Sequence, residues 1–348
     1  QVPGLADIEG FGCDVDQASG AMGPLREVAR LAHPTEVNRV LPCPQRAQLL
    51  ATKAASGAVL LFDYKRPREP GVVAPDAELR PSSGEAVDGF ALDWGQAATG
   101  ARPLIASGGN DGRLCVWEVE DAPRASGSAC ILDIADAHTG PLCGVALARG
   151  GARGRVLATV GDDGFVRLWD LRMGSASAAL SEAQASADEV LGVDWSFGNE
   201  HALATCGKDQ SVCVWDTRTW KEPVHRLKGH SGDVVVVRWA PFRSDLLASC
   251  STDHRINMWD LAASDVPAEE DPGAQKELLF SHASHAGGVS DFSWSDTDEY
   301  LVCSVADDNG LQLWQPSAEV YLADEEEGTN EADPPAKRLR MEDSARRS

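Results

Sequence analysis

The stretch Leu246-Leu247-Ala248-Ser249-Cys250-Ser251-Thr252-Asp253-His254-Arg255-Ile256-Asn257-Met258-Trp259-Asp260 holds the pattern on which the fold turns. Apolar and polar residues alternate from Ile256 to Asp260, the period of a half-buried strand, and a turn at Asp253 precedes it. The same ending recurs at Leu114–Glu118, Val166–Asp170, Val212–Asp216 and Leu311–Gln315, each with Asp six residues before its Trp: Asp111, Asp163, Asp209 and Asp308. A degenerate copy, Val59–Asp63, has Phe62 for Trp and Ser56 for Asp. Successive tryptophans lie 52, 46, 44 and 55 residues apart, which implies one small antiparallel sheet per repeat with the extra length in loops. A second series, Phe90–Trp94, Val193–Trp195, Val237–Trp239 and Phe292–Trp294, brings the tryptophans explained to nine of ten.

His230 lies 29 residues before Trp259, His285 lies 29 before Trp314, and His138 lies 31 before Trp169. With Ser249 and Asp253, His230 and Trp259 resemble the hydrogen-bonded tetrad of WD repeats, in which every buried polar group finds a partner. The other sets are His138, Thr159, Asp163, Trp169 and His285, Ser304, Asp308, Trp314. A catalytic Ser-His-Asp reading fails because the set recurs, each time locked with a Trp. No Gly-rich phosphate loop and no His-Glu-x-x-His motif occurs. The expectation is an all-β WD40 β-propeller that is not an enzyme and uses no cofactor or metal. Six repeats are countable; seven blades are expected, with the amino-terminal closing blade incomplete and Leu25–Leu31 as one possible strand of it.

Three segments follow: 1–24, poorly defined and opening on Gln1, which suggests a start further upstream; 25–322, the propeller; and 323–348, a disordered acidic then basic tail. Apolar runs such as Ala58–Phe62 are too short to span a bilayer. The nine cysteines include no pair at zinc-ribbon or redox spacing, and Cys115, Cys206, Cys213, Cys250 and Cys303 read as small buried side chains. A net charge of −23, spread over the body and not confined to the tail, repels nucleic acid and favours basic partners.

The loops carry a narrower likeness. Glu36-Val37-Asn38-Arg39, Leu50–Lys53 and Val59–Tyr64 resemble the first repeat of the retinoblastoma-associated/MSI-type histone-binding WD proteins. Val289–Trp294, Val302–Val305 and Ala318–Tyr321 are similar to the last repeat; Leu246–Asp260 and Glu277–Phe280, with the acidic insertion between, are similar to the fifth. That resemblance implies a nuclear scaffold or chaperone subunit of chromatin assembly, deacetylase or Polycomb-type complexes, with histones H3 and H4 as partners.

The residue before the first apolar strand of each repeat is Glu36, Asp88, Pro141, Glu189, Asp233 or Gly288, so four of six are acidic and should ring one mouth of the channel. A ring of carboxylates focuses its field on Lys and Arg; ordinary solvated loop acids are the alternative. The resemblance adds Asn38, Arg39 and Phe90 as positions touching the H3 tail. It also implies an H4 pocket beside an acidic loop, here Asp265, Glu269, Glu270 and Asp271, although no amino-terminal helix is read to complete it. Lys337, Arg338 and Arg340 read as a nuclear import signal. The competing reading is a substrate receptor for a cullin-4 type ubiquitin ligase adaptor, since Trp169-Asp170-Leu171-Arg172 and Trp215-Asp216-Thr217-Arg218 match the WD-x-Arg box. Neither reading calls for direct nucleic-acid or membrane binding.

Overall fold

The computed structural model describes residues 29–66, 72–82, 84–95, 102–119, 129–149, 155–173, 181–265 and 275–321. Within them the chain forms six antiparallel sheets. The first holds β1 (Val37–Cys43), β2 (Arg46–Ala54), β3 (Val59–Asp63) and β4 (Ala77–Leu79). The second holds β5 (Leu92–Gly95), β6 (Leu104–Gly108), β7 (Leu114–Glu118) and β8 (Ala129–Ile134). The third holds β9 (Leu142–Leu147), β10 (Val156–Gly161), β11 (Phe165–Asp170) and β12 (Ser181–Gln184). The fourth holds β13 (Val190–Trp195), β14 (Ala202–Gly207), β15 (Ser211–Asp216) and β16 (His225–Lys228). The fifth holds β17 (Val234–Trp239), β18 (Leu246–Ser251), β19 (Ile256–Asp260) and β20 (Leu278–His282), and the sixth only β21 (Val289–Trp294), β22 (Val302–Ala306) and β23 (Leu311–Trp314).

Each sheet is a blade, and first strands touch first strands from β1 through to β21, so they line a common channel. The repeated Trp strand is the third of its blade. It pairs in register with the second, as in Leu247 opposite Trp259 and Ser249 opposite Asn257. Apolar side chains fill the space between neighbouring blades; Trp195, Trp215, Trp239 and Trp259 are at most 1% exposed. One such cluster joins Val166 and Leu168 to Trp195, Leu203 and Trp215. Burying each ring removes roughly 150–250 Å² from water, which makes these interfaces the main source of cohesion.

The blade number corrects the expectation of seven: the described residues form six. Leu31, the described end of the proposed closing strand, founds no further sheet. It makes a single bridge to Val73 and packs on Ala58, Leu60 and Phe62 of the first blade. Residues 25–28 lie outside the described part, as do the segment 1–24 and the tail 323–348. Among the described residues the sixth blade has three strands; after β23 a helical turn begins at Ala318, and Tyr321 stacks on Tyr300 at 4.2 Å.

The second tryptophan series has a distinct duty. Each indole N–H donates to a carbonyl on the preceding blade's first strand: Trp94 to Leu41, Trp195 to Ala146, Trp239 to Asp194 and Trp294 to Arg238. Between the second and third blades Leu147 stands in place of the Trp, and the Asp93 carboxylate accepts from the Leu147 backbone N–H at 2.7 Å, as Asp194 does from the Trp239 backbone N–H at 2.8 Å.

Candidate functional site

The tetrads form as read in the third and fifth blades. Trp259 Nε1 donates to Ser249 Oγ at 2.8 Å, Ser249 meets His230 Nε2 at 2.8 Å, and His230 Nδ1 meets Asp253 at 3.0 Å. Trp169, Thr159, His138 and Asp163 repeat this with three contacts of 2.8 Å. Burial pushes both imidazole pKa values down, so the rings are neutral. Burial would raise Asp163, but hydrogen bonds from Arg167 and His138 outweigh it and hold the carboxyl well below the usual range. The sixth-blade set is looser: Ser304 joins Trp314 and His285, yet His285 Nδ1 stands 3.5 Å from Asp308 without a hydrogen bond.

The position ten residues before each third-strand aromatic carries a hydroxyl in all six blades, and two of these have partners that the sequence did not announce. In the first blade His33 Nε2 meets Thr52 at 2.9 Å beside Phe62; its 29-residue spacing to Phe62 could have revealed it. In the second blade, which lacks the histidine, Lys53 Nζ crosses from the first blade to Ser107 Oγ at 2.8 Å. Lys53 is 4% exposed, and burial lowers its pKa to about 8 against the pull of Cys115, Asp111 and Asp88. Cysteine thiols behave as expected of buried groups: burial drives Cys115, Cys206 and Cys250 upward, and Cys303 is half-buried.

The acidic positions occupy equivalent places. Glu36, Asp88, Pro141, Glu189, Asp233 and Gly288 each accept, through the backbone carbonyl, an N–H from Ala55, Asn110, Asp162, Lys208, Thr252 and Asp307 respectively. Five of the six first strands start one residue later and β5 four residues later, so both sets stand at one end of the channel. Where the first set lacks an acid, in blades three and six, the second supplies Asp162 and Asp307. Every blade therefore brings a carboxylate to this mouth: Glu36, Asp88, Asp162, Glu189, Asp233, Asp307. The second set was missed in the sequence, although it lies seven residues before each third-strand aromatic.

Lys208 is the one cation in these two sets, and its Nζ sits 2.5 Å from Glu189. Asn38 donates to Asp88 at 2.6 Å and to the Gly89 carbonyl, while Phe90, 58% exposed, stands beside them. Arg39 does not join the mouth: it lines a cavity deeper in the channel. Asp265 ends a short 3₁₀ turn, Leu261–Asp265, and its proposed companions Glu269, Glu270 and Asp271 lie outside the described residues, as do Lys337, Arg338 and Arg340. Among the described residues no group of His, Cys, Asp and Glu is arranged to hold a metal.

Six radial sheets, inter-blade tryptophans and hydroxyl–imidazole locks define a β-propeller of the protein-interaction class. A family model for the WD domain, G-beta repeat, matches residues 130–170, 180–216, 221–260 and 276–315, each match running from the fourth strand of one blade through the first three strands of the next. The chain is an all-β WD40 β-propeller, and such propellers are generally non-enzymatic scaffolds for protein partners.

Proposed function

We propose that this propeller is a histone-binding scaffold of nuclear chromatin complexes, taking the amino-terminal tail of H3 at the acidic mouth and H4 beside the Asp265–Asp271 loop. The supporting observation is the mouth itself, where four blades bring a carboxylate from the position before the first strand and the other two from the turn hydrogen-bonded to it. Exposed ion pairs are each worth only about 0.2–1 kcal/mol, so recognition of a Lys- and Arg-rich tail depends on several acting together at a low-dielectric rim. Phe90 adds an exposed ring face on which a guanidinium can stack. Lys208 occupies part of the ring, and a tail cation must compete with it for Glu189.

Calorimetric titration with an unmodified H3-tail peptide is the test. Glu189→Lys/Asp233→Lys should abolish measurable binding with an unchanged melting temperature. Asp162→Lys/Asp307→Lys should weaken it at least tenfold. Affinity that ignores both reversals and added salt would leave the acids as solvated loops.

The alternative, reception of substrates for a cullin-4 type ligase, draws support from the two box arginines. Arg172 forks onto Asp170 and Arg218 onto Asp216, each 63% exposed and in matching geometry on adjacent blades. A pull-down scored for the ligase adaptor against histones, repeated with Arg172→Ala/Arg218→Ala, separates the readings: adaptor capture lost in that variant supports the ligase role, and histone capture indifferent to it supports the first.

A further inference from the structure

Below the acidic mouth the channel carries guanidiniums among its carboxylates. Arg39 of β1, Arg149 just beyond β9 and Arg238 of β17 border one cavity of about 50 Å³. Two are matched: Arg149 reaches Asp194 at 3.0 Å, and Arg238 reaches Asp291 at 3.0 Å. Arg39 is not. Its guanidinium makes no hydrogen bond or ion pair among the described residues, although its Nε is closed off from solvent. The Nε groups of Arg149 and Arg238 are equally enclosed and equally without an acceptor. Those enclosed Nε groups face protein and not the open space, so the case rests on Arg39. A guanidinium that lines the cavity with no hydrogen-bonded or ion-paired partner is costly, and the cavity is the space in which an acceptor can meet it.

We propose that this cavity is a binding site for a tetrahedral oxyanion of the sulfate or phosphate class. Planar guanidinium forks suit such oxygens, and the space matches a single small group and no more. Two carboxylates that could repel the anion, Asp194 and Asp291, are already engaged by Arg149 and Arg238. The third, Asp93, accepts from the Leu147 N–H and faces Arg149 and Asp194, with Arg39 across the cavity. Burial raises its pKa to about 6, so it can take up a proton as the anion arrives and donate to it. Proton uptake on binding makes affinity rise as pH falls from 8 to 6. Entry is from the far end of the channel, where a wider opening of about 160 Å³ between Phe197, Pro241 and Trp294 shares Asp93, Arg149 and Arg238 with the cavity.

Selenate, which stays doubly charged across this pH range, is the probe. Crystals of the protein soaked in selenate should show a selenium anomalous peak within hydrogen-bonding reach of Arg39, Arg149 and Arg238. In solution, sulfate should raise the melting temperature above chloride at matched ionic strength. That gain should grow from pH 8 to pH 6 and vanish in Arg39→Gln. Should that variant fail to fold, Arg39→Lys keeps the charge but loses the fork and should bind selenate at least tenfold more weakly. Water alone in the soaked cavity, or anion stabilisation of equal size in the Arg39 variants, overturns the proposal. No histone peptide enters these measurements, so their outcome is separate from that of the preceding reading.

Discussion

Asp253 shows what one side chain does in this fold. It accepts from His230 Nδ1 and from the backbone N–H groups of Ser231 and Arg255 while only 5% exposed. Asp253→Ala leaves those donors without an acceptor and should cost about 2–4 kcal/mol in urea unfolding, with no selective loss of partner binding. Lys53 is the opposite case, a buried cation that the fold carries at a cost. Its folded pKa of about 8 lies below the unfolded value of about 10.4. At neutral pH the unfolded chain therefore holds this proton more tightly than the folded one. Stability contributed by the neutral amine grows as pH rises from 8 to 10. Lys53→Met should raise the melting temperature at pH 7, and the gain should shrink toward pH 10. The tetrads respond to acid. Neutral His138 and His230 contribute fully above their unfolded pKa of about 6.5 and lose that contribution as pH falls below it. Asp163 and Asp253, held low in the fold, follow below about pH 4. Both effects have the same sign, but Asp93, raised to about 6, adds stability as pH falls from 6 to 4, so calorimetry should compare the protein with its His230→Gln variant. The gap in melting temperature should narrow from pH 7 to 5, and an unchanging gap would contradict the tetrad assignment.

At the scale of elements, the joint between blades is the weak unit, because each blade alone buries too little. The indole stitches hold these joints at a definite register. Trp195→Phe keeps most of the ring in the cluster of the third and fourth blades but removes the bond to the Ala146 carbonyl. That change should cost about 1–3 kcal/mol, since an acceptor is left buried without its donor. Asp194 has a wider reach: its carboxylate takes the backbone N–H of Trp239 on one oxygen and Arg149 on the other, joining three blades. Asp194→Ala should therefore destabilise more than Trp195→Phe, as chemical unfolding of the two would register.

For the molecule as a whole, the net charge of −23 is distributed unevenly in function. Carboxylates gather at one mouth of the channel, and three guanidiniums lie within it beside Asp93 and Asp194. Screening acts on these in opposite directions. Added sodium chloride weakens the self-repulsion of an acidic body, so the melting temperature should rise between 0.05 and 0.5 M, where the screening length shortens from about 14 to about 4 Å. Over the same range a basic peptide should lose affinity for the mouth. Both quantities moving together would show that the field does not act as described.

The repeating strands, the tryptophan spacing and the His-Ser/Thr-Asp sets were legible in the sequence because they are local: period-two alternation and fixed offsets survive in one dimension. Four acids of the mouth were legible for the same reason, each tied to the start of a first strand. Asp162 and Asp307 belong to turns on the far side of a hairpin, and only strand pairing brings them beside Pro141 and Gly288. The blade count likewise belonged to tertiary structure. A strand-like segment at Leu31 satisfied its backbone and apolar side chain against the first blade, which no periodicity distinguishes from founding a seventh. Lys53 crossing to Ser107, and Arg39 turning into the channel toward Asp93 and Asp291, depend on contacts between blades some fifty to two hundred and fifty residues apart in the chain. Charge in a sequence has a sign but no direction, and it is the packing of the six sheets around their channel that gives it one.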